Sequence, residues 1–76
     1  MRSLEDFMRA WDNVSCPLKC IVLEATGGIV ISFEVDDFVL ETDQDGNEFI
    51  KLFSQGKMKA RISPNIIAEI KGGMEE

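Results

Sequence analysis

Cys16 and Cys20 are the first side chains whose type suggests chemistry. Two thiolates could open a zinc site, but such a site takes four ligands and this chain contains no histidine to complete it. The three residues between the cysteines also exceed the two-residue gap of dithiol redox motifs. In an extended strand the thiols would stand about 13 Å apart, too far for a disulfide. The expectation is therefore that Cys20 packs in the core and Cys16 is a loop thiol. A second candidate, Glu41-Thr42-Asp43-Gln44-Asp45-Gly46, resembles the opening of a calcium loop, with alternate oxygen ligands and a glycine in sixth place. Continued along the chain, that pattern needs a bidentate glutamate at Leu52 and an apolar residue at Glu48, so a hairpin turn is the reading of this segment. Ser3, Ser15, Ser32, Ser54 and Ser63 have no imidazole to act as their base. Asp36 and Asp37, adjacent on a strand, point to opposite faces and do not converge as an acid/base pair. No catalytic residue, metal ligand or cofactor is expected, and the chain is expected not to be an enzyme.

What remains is charge, and it is segregated. Asp36, Asp37, Glu41, Asp43, Asp45 and Glu48 belong to an acidic run uninterrupted by lysine or arginine. Lys57, Lys59 and Arg61 then alternate along one strand, which predicts that they share a face. The acidic hairpin is expected to contact a protein partner or a second copy. The basic strand is a possible anion site or a protected sheet edge.

These groups need elements to hold them. Ser3 is a helix cap, with Glu5 and Asp6 in the first turn and Leu4, Phe7, Met8 and Trp11 forming one apolar stripe. The stripe predicts a short helix, about residues 3–12, that docks on its own sheet or on a neighbouring chain. From Leu18 the period changes to two. Leu18–Glu24 reads as a strand and Thr26-Gly27-Gly28 as a turn. Ile29, Ile31, Phe33 and Val35 alternate with Val30, Ser32 and Glu34, Asp36-Asp37 interrupts, and Phe38-Val39-Leu40 resumes. Asp43-Gln44-Asp45-Gly46-Asn47 turns the chain into a strand from Glu48 to Phe53. Met58, Ala60 and Ile62 alternate strictly with Lys57, Lys59 and Arg61, and Ser63-Pro64-Asn65 reads as a tight turn or a single helical turn before a final strand from Ile66 to Lys71. With no helical crossover in this order, the sheet must be mostly antiparallel. The expected fold is mainly β: one N-terminal helix, then a five- to six-stranded bent sheet or small barrel over about residues 18–71, with a frayed tail at 72–76.

Composition bounds the rest. The chain has 76 residues, 45% hydrophobic and 29% charged, which is one globular domain. A chain this short buries roughly 60% of its unfolded surface, so a partner subunit is an expected source of stability. Eight basic residues against 14 acidic ones give a net charge of -6, which disfavours RNA and argues against a polybasic membrane anchor. The start of the chain lacks the apolar core of a secretory signal, and its longest uncharged run, residues 25–33, is far short of the roughly 20 residues that span a bilayer. A cytoplasmic protein with reduced thiols is the expectation.

The order of elements resembles the Sm-like fold, a relative of the Src-homology-3-like barrels. Pro17–Leu23 is similar to that family's first strand. Gly28-Ile29-Val30-Ile31-Ser32-Phe33 followed by Phe38-Val39-Leu40 is similar to its long second strand, acidic turn and third strand. Ala60–Ile70 looks like the last two strands of a Src-homology-3-like barrel around a single helical turn. Val35 and Asp36 are extra at the acidic turn, and Arg61-Ile62-Ser63-Pro64 stands where the family has a basic residue followed by glycine. The resemblance implies an oligomeric ring that binds RNA or nucleotide, with Lys57, Lys59 and Arg61 available for it, although no base-contacting residue of the family matches a position here. From the residues themselves the leading expectation is a small acidic interaction module, of accessory or phage-type character, that binds a protein or itself; the ring is the alternative, and a metal-dependent enzyme the remote third.

Overall fold

The computed structural model describes residues 1–24, 26–28 and 30–73. The helix α1 (Leu4–Asp12) starts where Ser3 Oγ accepts a hydrogen bond from the Asp6 amide at 3.2 Å. It ends at Asn13, whose amide donates to the Arg9 carbonyl at 3.1 Å, while the Val14 amide donates to the Trp11 carbonyl at 3.2 Å. The strands follow in order: β1 (Lys19–Glu24), β2 (Val30–Val35), β3 (Asp37–Thr42), β4 (Glu48–Ser54), β5 (Lys57–Ile62) and β6 (Ile67–Gly72). Single 3-10 turns occupy Thr26–Gly28 and Pro64–Ile66. The helix, six strands and both turns fall where the residue pattern predicts them.

All four strand pairings are antiparallel and build two three-stranded sheets, β2-β1-β6 and β3-β4-β5. Only Asp36 separates β2 from β3, so one bent strand path leaves the first sheet and enters the second. The Asp36 amide, donating to Phe53 O at 2.9 Å, fixes that corner. Among the described residues no ladder joins the two sheets, which act as two layers around a shared core.

Phe7, Ile21, Leu23, Val35, Ile50, Leu52 and Ile67 form that core, drawn from the helix and both sheets. The helix stripe therefore docks within its own chain. Phe7 is fully buried, and Leu4 and Trp11 pack beside it. Phe7, Trp11 and Phe38 interlock with centroids 4.7–5.7 Å apart, within the favourable range for tilted and edge-to-face rings.

Three details depart from expectation. In β1 the inward phase belongs to Lys19, Ile21 and Leu23, so Cys20 is half-buried on the opposite side rather than in the core. Cys16 is also half-buried, and its Sγ lies against Gly72. In β2 only Val35 is buried, while Ile31 is 48% exposed; Ile29 lies outside the described residues. The expected tail at 72–76 begins too early: β6 runs through Gly72, and the Gly73 amide donates to Leu18 O at 2.8 Å. A Cβ at Gly73 would stand 2.6 Å from that same oxygen, so glycine is what lets the chain lie this close. Residues 74–76 lie outside the described set.

Candidate functional site

The acidic hairpin spends much of its charge on its own geometry. Asp43 Oδ1 accepts from the Asp45 and Asn47 amides, both at 2.9 Å, and Oδ2 accepts from Asn47 Nδ2 at 3.1 Å. This is a carboxylate-closed turn, and Gly46, at φ +85°, supplies its left-handed residue. Asp36 Oδ2 accepts from the Gln55 amide at 3.0 Å, holding that residue at φ +54° between β4 and β5. Asp37 Oδ1 accepts from the Phe38 amide. Asp45 and Glu48 stay exposed. Among the described residues no three acidic or thiol side chains gather as a metal cluster would.

Lys57, Lys59 and Arg61 are all exposed but do not share one face. The β4–β5 ladder shifts register between Leu52 and Phe53: Ala60 sits opposite Leu52, Met58 opposite Phe53, and Lys59 is the extra residue. Arg61 faces Lys51 and Lys57 faces Ser54, and those two β4 residues are three apart, so Lys57 and Arg61 fall on opposite faces. The strict alternation expected for this strand fails at the shift, which turns Met58 outward to 55% exposure.

That shift completes a face no single strand announces. Leu52, Ile50, Phe38 and Leu40 line the core side of the β3-β4-β5 sheet. The opposite side therefore carries Asp37, Val39 and Glu41 from β3, Phe49, Lys51 and Phe53 from β4, and Met58 and Arg61 from β5. At its upper end Arg61 Nε donates to Glu41 Oε1 at 2.8 Å while its guanidinium lies 4.0 Å from the centre of the Phe49 ring. Lys51 Nζ approaches the other Glu41 oxygen at 3.9 Å. This polar clasp covers Phe49. Among the described residues no ion pair or cation–ring contact covers the lower end, where Phe53 stands opposite Met58 and Val39, itself opposite Lys51, lies diagonally from Phe53 at 47% exposure. Solvent-facing sides of antiparallel sheets ordinarily alternate to polar residues; here a diagonal row of Val39, Phe53 and Met58 crosses the outer face between Asp37 on one side and Lys51 and Arg61 on the other.

The hydrogen bond from Arg61, partly opposed by desolvation, and then the charges of Arg61 and Lys51 hold the Glu41 carboxyl below its ordinary value. The Asn47 amide does the same, most strongly, for Asp43. A folded-state value below the unfolded one contributes stability that is full above the unfolded pKa and is lost as pH falls through the lowered folded value. The expected result is an acid limb in the melting temperature that opens as pH falls to the ordinary carboxylate values and is complete only below the lowered folded-state ones. Glu41→Gln lowers the melting temperature slightly at neutral pH and converges with the native chain in acid, so part of that limb is flattened. An identical pH profile for the variant would show the clasp to be energetically silent.

Of the four stripe residues expected to form an interface, only Met8, at 44%, remains exposed; Phe7 has no surface left to offer a partner. The outer face of the second sheet was legible in one respect. Glu48-Phe49-Ile50-Lys51-Leu52-Phe53 is apolar at both parities of the strand, the signature of a strand covered on both sides. Comparison of the chain with family models, with curated proteins and with solved structures returns no match.

Proposed function

We propose that this protein is a non-enzymatic interaction module that binds another protein through the outer face of its second sheet. The observation that carries this reading is the apolar row of Val39, Phe53 and Met58 on the side of the sheet turned away from the core. Aromatic residues, methionine and arginine are the types enriched where proteins meet, and charge is displaced to the rim. Here Lys51 and Arg61 flank the row on one side and Asp37 on the other. The fitting partner is an apolar surface carrying carboxylates toward the edge strand β5, where exposed Lys59 has no ion-pair partner among the described residues. Val39→Glu combined with Met58→Glu tests the reading. Both sites are exposed, so stability changes by no more than about 0.5 kcal/mol per site, while retention of the partner is lost. A double variant that binds as the native chain does would remove the face from the account.

A second reading has its own observation. The bent path β2–β3, the 3-10 turn between β5 and β6, and the antiparallel β1–β6 pairing support a likeness to Sm-like and Src-homology-3-like barrels. Exposed Lys57 and Lys59 would then serve an RNA or nucleotide. Arg61 is committed to Glu41 and Phe49 and the net charge is -6, which places this reading second. Two free thiols support a reducing, cytoplasmic setting. No described helix is long and apolar enough to cross a membrane.

A further inference from the structure

Four strands close the two sheets at their sides: β2 and β6 in the first, β3 and β5 in the second. Each edge strand has a row of backbone donors and acceptors that its sheet does not use, and proteins keep such rows apart by charging them. Three of the four edges carry two or three charges each, and the fourth, β2, carries only Glu34, near its end. β5 carries Lys57, Lys59 and Arg61, β3 carries Asp37 and Glu41, and β6 carries Glu69 and Lys71. The first four residues of β2, Val30, Ile31, Ser32 and Phe33, carry no charge. They are also poorly covered: Val30 is 67% exposed, Ile31 48%, and Ser32 is exposed. The outer-face row of the second sheet is a different surface, on a different sheet.

We infer that the β2 edge pairs with the same edge of a second copy, antiparallel about a two-fold axis, joining two β2-β1-β6 sheets into one six-stranded sheet. The occupant follows from charge. At a net charge of -6 two copies repel over most of their surfaces, and this edge is where they can meet with no charge facing a like charge. It is also uncharged where a two-fold puts each residue against its own neighbours. With the axis at Ile31, that side chain meets its mate on the core side, and Val30 lies opposite Ser32 on the outer side. Both pairings keep the inner and outer faces of the two sheets continuous, as an antiparallel ladder requires. The interface closes on itself at two copies, because an isologous contact uses the only copy of that edge. So short an edge buries less than the ~800 Å² per partner of a standard interface, which makes the dimer weak and concentration-dependent, about micromolar or weaker. The result is a two-headed module, with one outer face of the second sheet on each copy.

Sedimentation equilibrium on the intact chain over rising concentration tests this. The native chain is expected to pass from monomer to dimer and no further. Ile31→Lys sets two ammonium groups against each other on the axis and weakens the dimer at least about tenfold. Val30→Lys, at the more exposed site, does the same where Ile31→Lys fails to fold. The variant Val39→Glu/Met58→Glu leaves the dimer unchanged, which separates this contact from the partner-binding face. A chain that stays monomeric to about millimolar concentration, a closed oligomer larger than two, or a dimer indifferent to both lysine variants overturns the inference.

Discussion

Phe7→Ala is expected to cost about 3–5 kcal/mol, the range for deleting a buried aromatic ring. Domains of this size are stable by only about 5–15 kcal/mol, so the variant is expected to be largely unfolded or close to it. The size of the effect comes from position. Phe7 is the helix residue with no exposed surface, and its ring meets Phe38 edge-on at 5.0 Å and Trp11 at 5.7 Å. A helix of nine residues is marginal in water by itself; it persists because this ring anchors it. Removing the ring both opens a cavity and releases the helix, so urea denaturation should read a lower midpoint together with lost helical signal. Phe7→Leu should retain more than half of the lost stability. A Phe7→Ala chain with native stability would mean that the helix is dispensable to the core.

The second large effect is expected at Lys19. This residue opens β1 with only 7% of its surface exposed. Its ammonium donates to Cys16 O at 2.6 Å and lies 4.7 Å from the centre of the Trp11 ring. Among the described residues no carboxylate pairs with it. The cation is held by a carbonyl oxygen and by the negative face of an indole, two partners that both repel an anion. Lys19→Glu therefore buries a carboxylate against the wrong dipoles and is expected to cost at least about 3 kcal/mol. Lys19→Met keeps the apolar stem against Trp11 and removes a charge that was costly to desolvate, so it should stay within about 1.5 kcal/mol of the native chain. Denaturant midpoints for the pair decide the matter. Equal losses for Met and Glu would mean that Lys19 acts through shape alone and that its charge is not felt.

Lys19 also marks where sequence patterning stops. The period of two in β1 was plain, but a strand of alternating residues has two phases. Taking Cys20 as the inward residue selected the wrong one at that end. Placing a lysine inward is unfavourable on composition alone; it became favourable because the helix brought Trp11 over it, a contact made across eight residues and two elements. The same limit applies at Met58. Nothing local in Lys57-Met58-Lys59 announces a register shift, which is a property of the ladder with β4. The features written locally were read correctly. Ser3 caps the helix, Asp43 and Gly46 close the hairpin, Pro64 starts the last turn, and of the expected Asp36-Asp37 break Asp36 interrupts the long strand while Asp37 already opens β3. The outer face of the second sheet was half legible, through the two-sided apolar pattern of β4, and its other half needed pairing to set Met58 opposite Phe53 and Val39 on its diagonal.

The claim that the outer face of β3-β4-β5 is a protein-binding surface is tested most directly by photo-crosslinking. A photoreactive side chain placed at position 39 or 58 should yield one discrete adduct with another protein. The same group at position 69, on the β6 strand of the other sheet, should yield none. Adducts confined to positions 39 and 58 are the predicted result. No adduct from either, or adducts of equal yield from all three positions, would contradict it.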